Sequence, residues 1–99
     1  MAYTKMATID QLQAALYKLN RQTASPQKPY IAGQAQIGNY HLSQAYGGYN
    51  VNRIVNNGGG CTEPAGHGHT TKRECLKRIE NLRLEDYEHW QLERYLERI

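Results

Sequence analysis

A chain of 99 residues makes one small domain, 1–99, whose single modest core is of the size that self-association often supplements. Only 39% of its residues are hydrophobic, with no Phe, one Trp and eight Tyr, and the formal net charge is +3. No apolar run reaches the ~18 residues of a membrane span and "MAYTKMATIDQ" lacks the apolar stretch of a signal peptide, so no membrane is expected and a cytoplasmic protein is, its two cysteines free thiols or metal ligands rather than a disulfide.

The first element is "TIDQLQAALYKLN". Thr8 followed three residues later by Gln11 is a capping-box pattern, and Ile9, Leu12, Ala15, Leu16 and Leu19 share one face, which predicts an amphipathic helix over 9–20. Pro26 and Pro29 forbid its continuation, and residues 21–35 read as an irregular surface arm.

Residues 36–63 read as a β-hairpin or small sheet. Tyr40, Leu42 and Gln44 alternate on one side, as do Tyr49, Val51, Arg53 and Val55 in the return segment, with Gly47-Gly48 between them as the expected turn. That turn would set Tyr46 opposite Tyr49. "CTEP" offers a short third strand, and there is no internal repeat.

Residues 71–99 are helical by every local sign, with Thr71 and Glu74 as a second capping box and no Gly or Pro to the end. The apolar positions make two stripes instead of one. Cys75, Leu76, Ile79, Leu82, Tyr87 and Trp90 lie on one face, and Leu84, Leu92, Tyr95, Leu96 and Ile99 on nearly the opposite one. Either the helix breaks near 84–86, or one helix of ~40 Å buries two faces against two things. The second face is the expected oligomer interface, giving a dimer or higher homo-oligomer. The fold class is α+β: an N-terminal helix, a central antiparallel hairpin and a long or broken C-terminal helix.

Charge is unevenly spread. Residues 1–83 carry ten Lys/Arg against four Asp/Glu, whereas 84–99 carry two against five. That polarity points to an anionic partner for the body and a different contact for the tail.

The stretch "NNGGGCTEPAGHGHTTKREC", 56–75, carries the candidate site. Asn56 and Asn57 tolerate left-handed geometry, and Gly58, Gly59 and Gly60 leave the backbone N–H groups open to close approach. The following helix begins with Lys72 and Arg73, with Lys77 and Arg78 one turn on. Cations at the positive end of a helix dipole cost a few tenths of a kcal/mol each unless an anion shares them, which points to a phosphate or carboxylate site. The bland alternative is a flexible loop and a solvated face, and no Walker or dinucleotide fingerprint is present, so no cofactor is expected.

Cys61, His67, His69 and Cys75 are competent zinc ligands, but their C-x5-H-x-H-x5-C spacing is unlike the usual one and burial alone explains Cys75. A Cys–His nucleophile is the poorest fit, because no orienting carboxylate is evident, and the chain reads as non-enzymatic. Tyr40, Tyr46 and Tyr49 with Arg53 nearby would serve as stacking platforms for bases or, equally, as the core face and tip of the hairpin. A basic bias of +3 is slight for a nucleic-acid protein.

At "GNYHLSQAYGGYNVNRIVNNGGG" and "GHTTKREC" the chain resembles a group of small phage and prophage proteins. These carry a Y-x-L-S-x-A-Y-G-G hairpin, a V-N-x-G-G-G loop and G-H-x-x-K-R-E opening a helix. The resemblance covers 38–79 and singles out Arg53, Asn56, Gly58, Gly59, Gly60, His67, Lys72 and Arg73 as positions able to touch a ligand. Cys61 and Cys75 have no fixed counterpart there. What it implies is a phage accessory protein, in the host cytoplasm, that occupies something belonging to the host. Three versions follow: binding of a phosphate-bearing ligand such as a nucleotide signal at 56–73 to counter a defence function, protein–protein inhibition of a defence enzyme or nucleic-acid complex by the acidic helix, or sequence-independent nucleic-acid binding.

Overall fold

The computed structural model describes residues 7–97. Its order is α1 (Ile9–Gln22), β1 (Tyr30–Ile31), β2 (Gln34–Ala35), β3 (Tyr40–Ala45), β4 (Gly48–Ile54), β5 (Cys61–Thr62) and α2 (Lys72–Glu97). The chain is α+β, with an N-terminal helix, an antiparallel three-stranded sheet in the order β3-β4-β5 and a long C-terminal helix. None of the described helices is long and apolar enough to cross a membrane.

α1 forms where its sequence signals it. The Thr8 side chain accepts from Gln11 N–H and the Gln11 side chain accepts from Thr8 N–H, closing both halves of the capping box. The arm after it is not wholly irregular: β1 and β2 pair as a two-residue ladder around Ala32-Gly33, both with positive φ.

The turn of the main hairpin lies one residue earlier than Gly47-Gly48. Ala45 pairs with Gly48 and Gln44 with Tyr49, so Tyr46 and Gly47 are the two loop residues, at φ 54° and 75°. Two positive φ values make the primed turn that matches strand twist. The expected Tyr46–Tyr49 pair is therefore absent, and Tyr46 stands fully exposed at the tip. Gly48 is a strand residue instead. A Cβ there would meet the His69 Cβ at 3.0 Å, because the backbone before α2 crosses the tip of the sheet at that point.

The helices cover one face of the sheet. Leu12, Ala15, Leu16 and Leu19 of α1 meet Cys75 and Ile79 of α2 over Tyr40 and Val51, with Leu42, Tyr49, Leu76 and Leu82 at the margin. Asn20, late in α1, bonds Tyr40 at the open end of the hairpin, while Thr70, just before α2, exchanges two backbone bonds with Tyr49 at the tip. Both helices thus run from tip to open end. At that end Gln22 donates to the Arg83 carbonyl at 2.6 Å and to Asp86 at 3.0 Å.

α2 is continuous through 84–86 and spans 26 residues, ~39 Å. Only its first half is needed to cover the sheet. Every described residue from Tyr87 to Glu97 is exposed, so the second half stands clear of the body.

Candidate functional site

Apart from His67, the residues read from the sequence as one site fall into two groups at opposite ends of β4. Tyr49 and Arg53 are four residues apart, ~13 Å along the strand. The sequence places Gly58–Gly60 only a dozen residues before Lys72; the structure separates them because β5 pairs with the end of β4 and the 63–71 segment then travels back to the tip.

At the open end, Arg53 is committed to its own fold. Its guanidinium lies 4.6 Å from the Tyr40 ring centroid and its Nε donates to the Gly38 carbonyl. Asn56 fills the glycine loop. Its Oδ1 accepts from Gly58 N–H at 3.0 Å and from Gly60 N–H at 2.9 Å, and its backbone carbonyl accepts from Gly59 N–H at 3.1 Å. All three N–H groups that would cradle an anion therefore have an internal acceptor. The side chain that the sequence suggested as part of a ligand site acts here in the ligand's place.

At the tip, Lys72 Nζ sits 5.6 Å from the Tyr49 ring centroid, and Tyr46 meets His69 edge-on at 6.4 Å. Ser43 Oγ and His69 Nε2 are 2.9 Å apart. Thr71 caps α2 by accepting Glu74 N–H at 3.1 Å. Arg73 is exposed, and Lys77 pairs with Glu74 at 3.7 Å across the surface.

Arg78 faces inward, where the sequence offered it as a further cation for an anion. Its Nη1 donates to Asn50 Oδ1 at 2.9 Å and to the Gly68 carbonyl at 2.8 Å. Asn50, wholly buried, also accepts from Val51 N–H and donates to Glu63 Oε2 and the Gly66 carbonyl. Glu63 in turn bonds His67 at 3.0 Å, and that bond, helped by Asn50 and Gly68 N–H, holds its carboxyl below the ordinary 4.5. His67 thus belongs to the clasp that fixes the 63–69 loop. A buried Asn amid polar neighbours carries no periodic signal, which is why the sequence did not show this network.

The four candidate zinc ligands are dispersed. Cys75 is buried in the core, Cys61 is exposed with its Sγ toward the Gly59 carbonyl, His67 faces Glu63 and His69 faces Ser43. Among the described residues no three His, Cys, Asp or Glu side chains come together as a metal would require. Burial pushes the Cys75 thiol up, away from the thiolate a nucleophile needs.

The most prominent unused surface is the projecting half of α2. Leu84, Leu92, Tyr95 and Leu96 are each 54–63% exposed on one side. On the other, Tyr87 and Trp90 stack at 6.2 Å, Arg94 lies over the indole at 4.8 Å and Gln91 donates to the Tyr87 hydroxyl, and the two rings remain about half exposed. Of the expected interface, Ile99 lies outside the described residues.

A second feature went unseen in the sequence. A cleft of about 470 Å³ opens between α1 and the outer edge of β3, bounded by Leu16, Tyr17, Pro29, His41 and Leu42. Its residues come from three segments whose meeting depends on the Asn20–Tyr40 contact, so no local pattern announces it. Burial holds His41 below its ordinary 6.5.

No protein-family model matches the chain, and no curated protein or solved structure shows significant similarity to it.

Proposed function

We propose that this protein is a non-enzymatic, phage-type accessory protein that acts by protein–protein contact, self-associating through the outer half of α2 and inhibiting a host defence protein. The observation that carries this reading is the apolar set Leu84, Leu92, Tyr95 and Leu96 on one side of α2, each more than half exposed, with Leu92, Tyr95 and Leu96 on the part of the helix that stands clear of the body. Exposed apolar residues grouped this way on a small domain mark an interaction surface. The acidic charge of 84–99, five Asp/Glu against two Lys/Arg, suits a basic surface on the target.

The phosphate-ligand reading is left with the tip cluster, where Lys72 on Tyr49, exposed Arg73 and exposed Tyr46 could meet a nucleotide without help from Gly58–Gly60. The two readings separate in one experiment. The paired change Leu92→Glu and Leu96→Glu should convert an oligomer to a monomer in light scattering and abolish inhibition, with Lys72→Ala plus Arg73→Ala neutral. A wild-type chain that stays monomeric at high micromolar concentration, or inhibition lost only with Lys72 and Arg73, would overturn the protein-contact reading.

A further inference from the structure

The outer edge of β3 is an unfilled strand position. At the open end Ile54 N–H donates to the Asn39 carbonyl and the Ile54 carbonyl accepts from Gly38 N–H, so Ile54 turns both groups toward β3, and Ala45 and Gly48 pair beside the two-residue turn, which fixes the parity of the hairpin. The odd-numbered residues of β3 bond to β4, and Tyr40, Leu42 and Gln44 direct their N–H and C=O groups the other way. Two independent contacts agree with this. Tyr40 gives its N–H and C=O to the Asn20 side chain, and its counterpart on the opposite edge, Tyr49, gives both of its own to Thr70.

Asn20 therefore acts as a one-residue strand surrogate. Its amide presents an acceptor and a donor to Tyr40 as a neighbouring backbone would. Beyond it the surrogate stops: neither Leu42 nor Gln44 has a backbone or side-chain partner for its edge groups among the described residues. Beside that gap lies the 470 Å³ cleft, lined by Leu16, Tyr17, Pro29 and Leu42, with volume enough for a side chain from an added strand.

Charge selects the occupant. Residues 11–62 hold no Asp or Glu and four Lys/Arg, of which Lys18 follows Tyr17 and Lys28 lies between Gln27 and Pro29, all three neighbours lining the cleft. Two copies meeting through β3 would bring these like charges together. An extended segment bearing carboxylates would neutralise them.

We propose that the β3 edge and its cleft form a second docking site, which takes an extended, acidic segment of a partner protein as a fourth strand next to β3. Main-chain bonds to Leu42 and Gln44 supply the strand pairing, the cleft takes an apolar side chain, and Lys18 and Lys28 favour acidic residues on alternate positions. This site is independent of the outer half of α2.

The test uses the full-length, 15N-labelled chain with two capped octapeptides, four Val-Glu repeats and four Val-Lys repeats. The Val-Glu peptide should shift the Leu42 and Gln44 amides and slow their hydrogen exchange at least about tenfold, with the Val-Lys peptide inert. Gln44→Pro removes one edge N–H at an exposed position where an edge strand accepts proline, and should weaken binding about tenfold or more. If that variant does not fold, Lys28→Glu serves in its place and should weaken the same peptide. Equal response to both peptides, or binding unchanged in the variant that folds, overturns the proposal. So does slow exchange of Leu42 and Gln44 in the free protein, whether constant or growing with protein concentration, since the edge would then already be filled by this chain or by a second copy.

Discussion

Asn20 holds Tyr40 by both backbone groups: its Oδ1 accepts Tyr40 N–H and its Nδ2 donates to the Tyr40 carbonyl, each at 2.9 Å, with Asn20 only 2% exposed. One side chain thereby ties the end of α1 to the start of β3 and fixes the helix over the sheet. Asn20→Ala leaves a buried donor and acceptor unpaired, at about 1–3 kcal/mol each when water cannot reach them. We expect a loss of about 2–4 kcal/mol, read as a lower urea midpoint with an unchanged slope. Asn20→Asp keeps the acceptor, and below the carboxylate pKa its protonated oxygen can donate in place of the amide, so there it should fall between Ala and wild type. A loss under about 1 kcal/mol for Asn20→Ala would mean that water replaces the amide and that the edge of β3 is wetter than the contact implies.

Tyr46 occupies a position its side chain disfavours. At φ 54° in a primed turn, a large aromatic residue replaces the Asn that such turns select, and its ring is fully exposed. Nothing in the packing repays that choice beyond the edge contact with His69 at 6.4 Å. Tyr46→Asn should therefore stabilise the protein by about 0.5–1 kcal/mol, seen as a higher thermal midpoint. A stabilising change that weakens partner or ligand binding would assign the tyrosine a contact role. A destabilising one would show that the His69 contact outweighs the turn.

Element existence was legible because it is written locally. Thr8 and Gln11 announce α1, the alternation through Tyr40, Leu42, Tyr49 and Val51 announces the hairpin, and "CTEP" does supply β5. The turn was read one residue late because Gly47-Gly48 is the stronger glycine signal, whereas Gly48 is glycine for the sake of its 3.0 Å approach to His69, a tertiary reason. The candidate site failed as a unit on the same ground. Gly58–Gly60 and Lys72-Arg73 are close along the chain, yet strand pairing sends them to opposite ends of β4, and Asn56 satisfies its own loop. Asn20, Asn50 and Arg78 have their roles through partners 10 to 28 residues away, and no periodicity reports such pairs.

Acid should weaken the fold in two stages. The Glu63 carboxyl is held below its ordinary 4.5, chiefly by its bond to His67, so the folded state favours the ionised form. That contribution is present above the unfolded carboxylate pKa and is lost as pH falls through the folded value, below about 4.5. His41 is held below 6.5 by burial, so the folded state favours neutral imidazole, and its contribution is lost as pH falls below 6.5. The urea midpoint should thus decline on acidification from pH 7 and again below pH 4.5. Glu63→Gln should flatten the lower stage and His41→Gln the upper. An unchanged profile in Glu63→Gln would show that the clasp through Asn50 and Arg78 holds without the carboxylate.

Removing residues 87–99 separates folding from function. The last described ties between α2 and the rest of the fold are Gln22 to the Arg83 carbonyl and to Asp86, and nothing from Tyr87 to Glu97 is buried. A chain ending at Asp86 keeps Cys75, Ile79 and Leu82 against α1, so it should unfold cooperatively with stability within about 1 kcal/mol of the full chain. It should also be monomeric and inactive, since it lacks Leu92, Tyr95 and Leu96. Strand addition at β3 should survive in it, because Leu42, Gln44 and the cleft are untouched. A truncated chain that still oligomerises would transfer self-association to the sheet edge or the tip. One that fails to fold would mean that the outer helix is packed against the body in solution, and that its exposed leucines and tyrosine belong to the core.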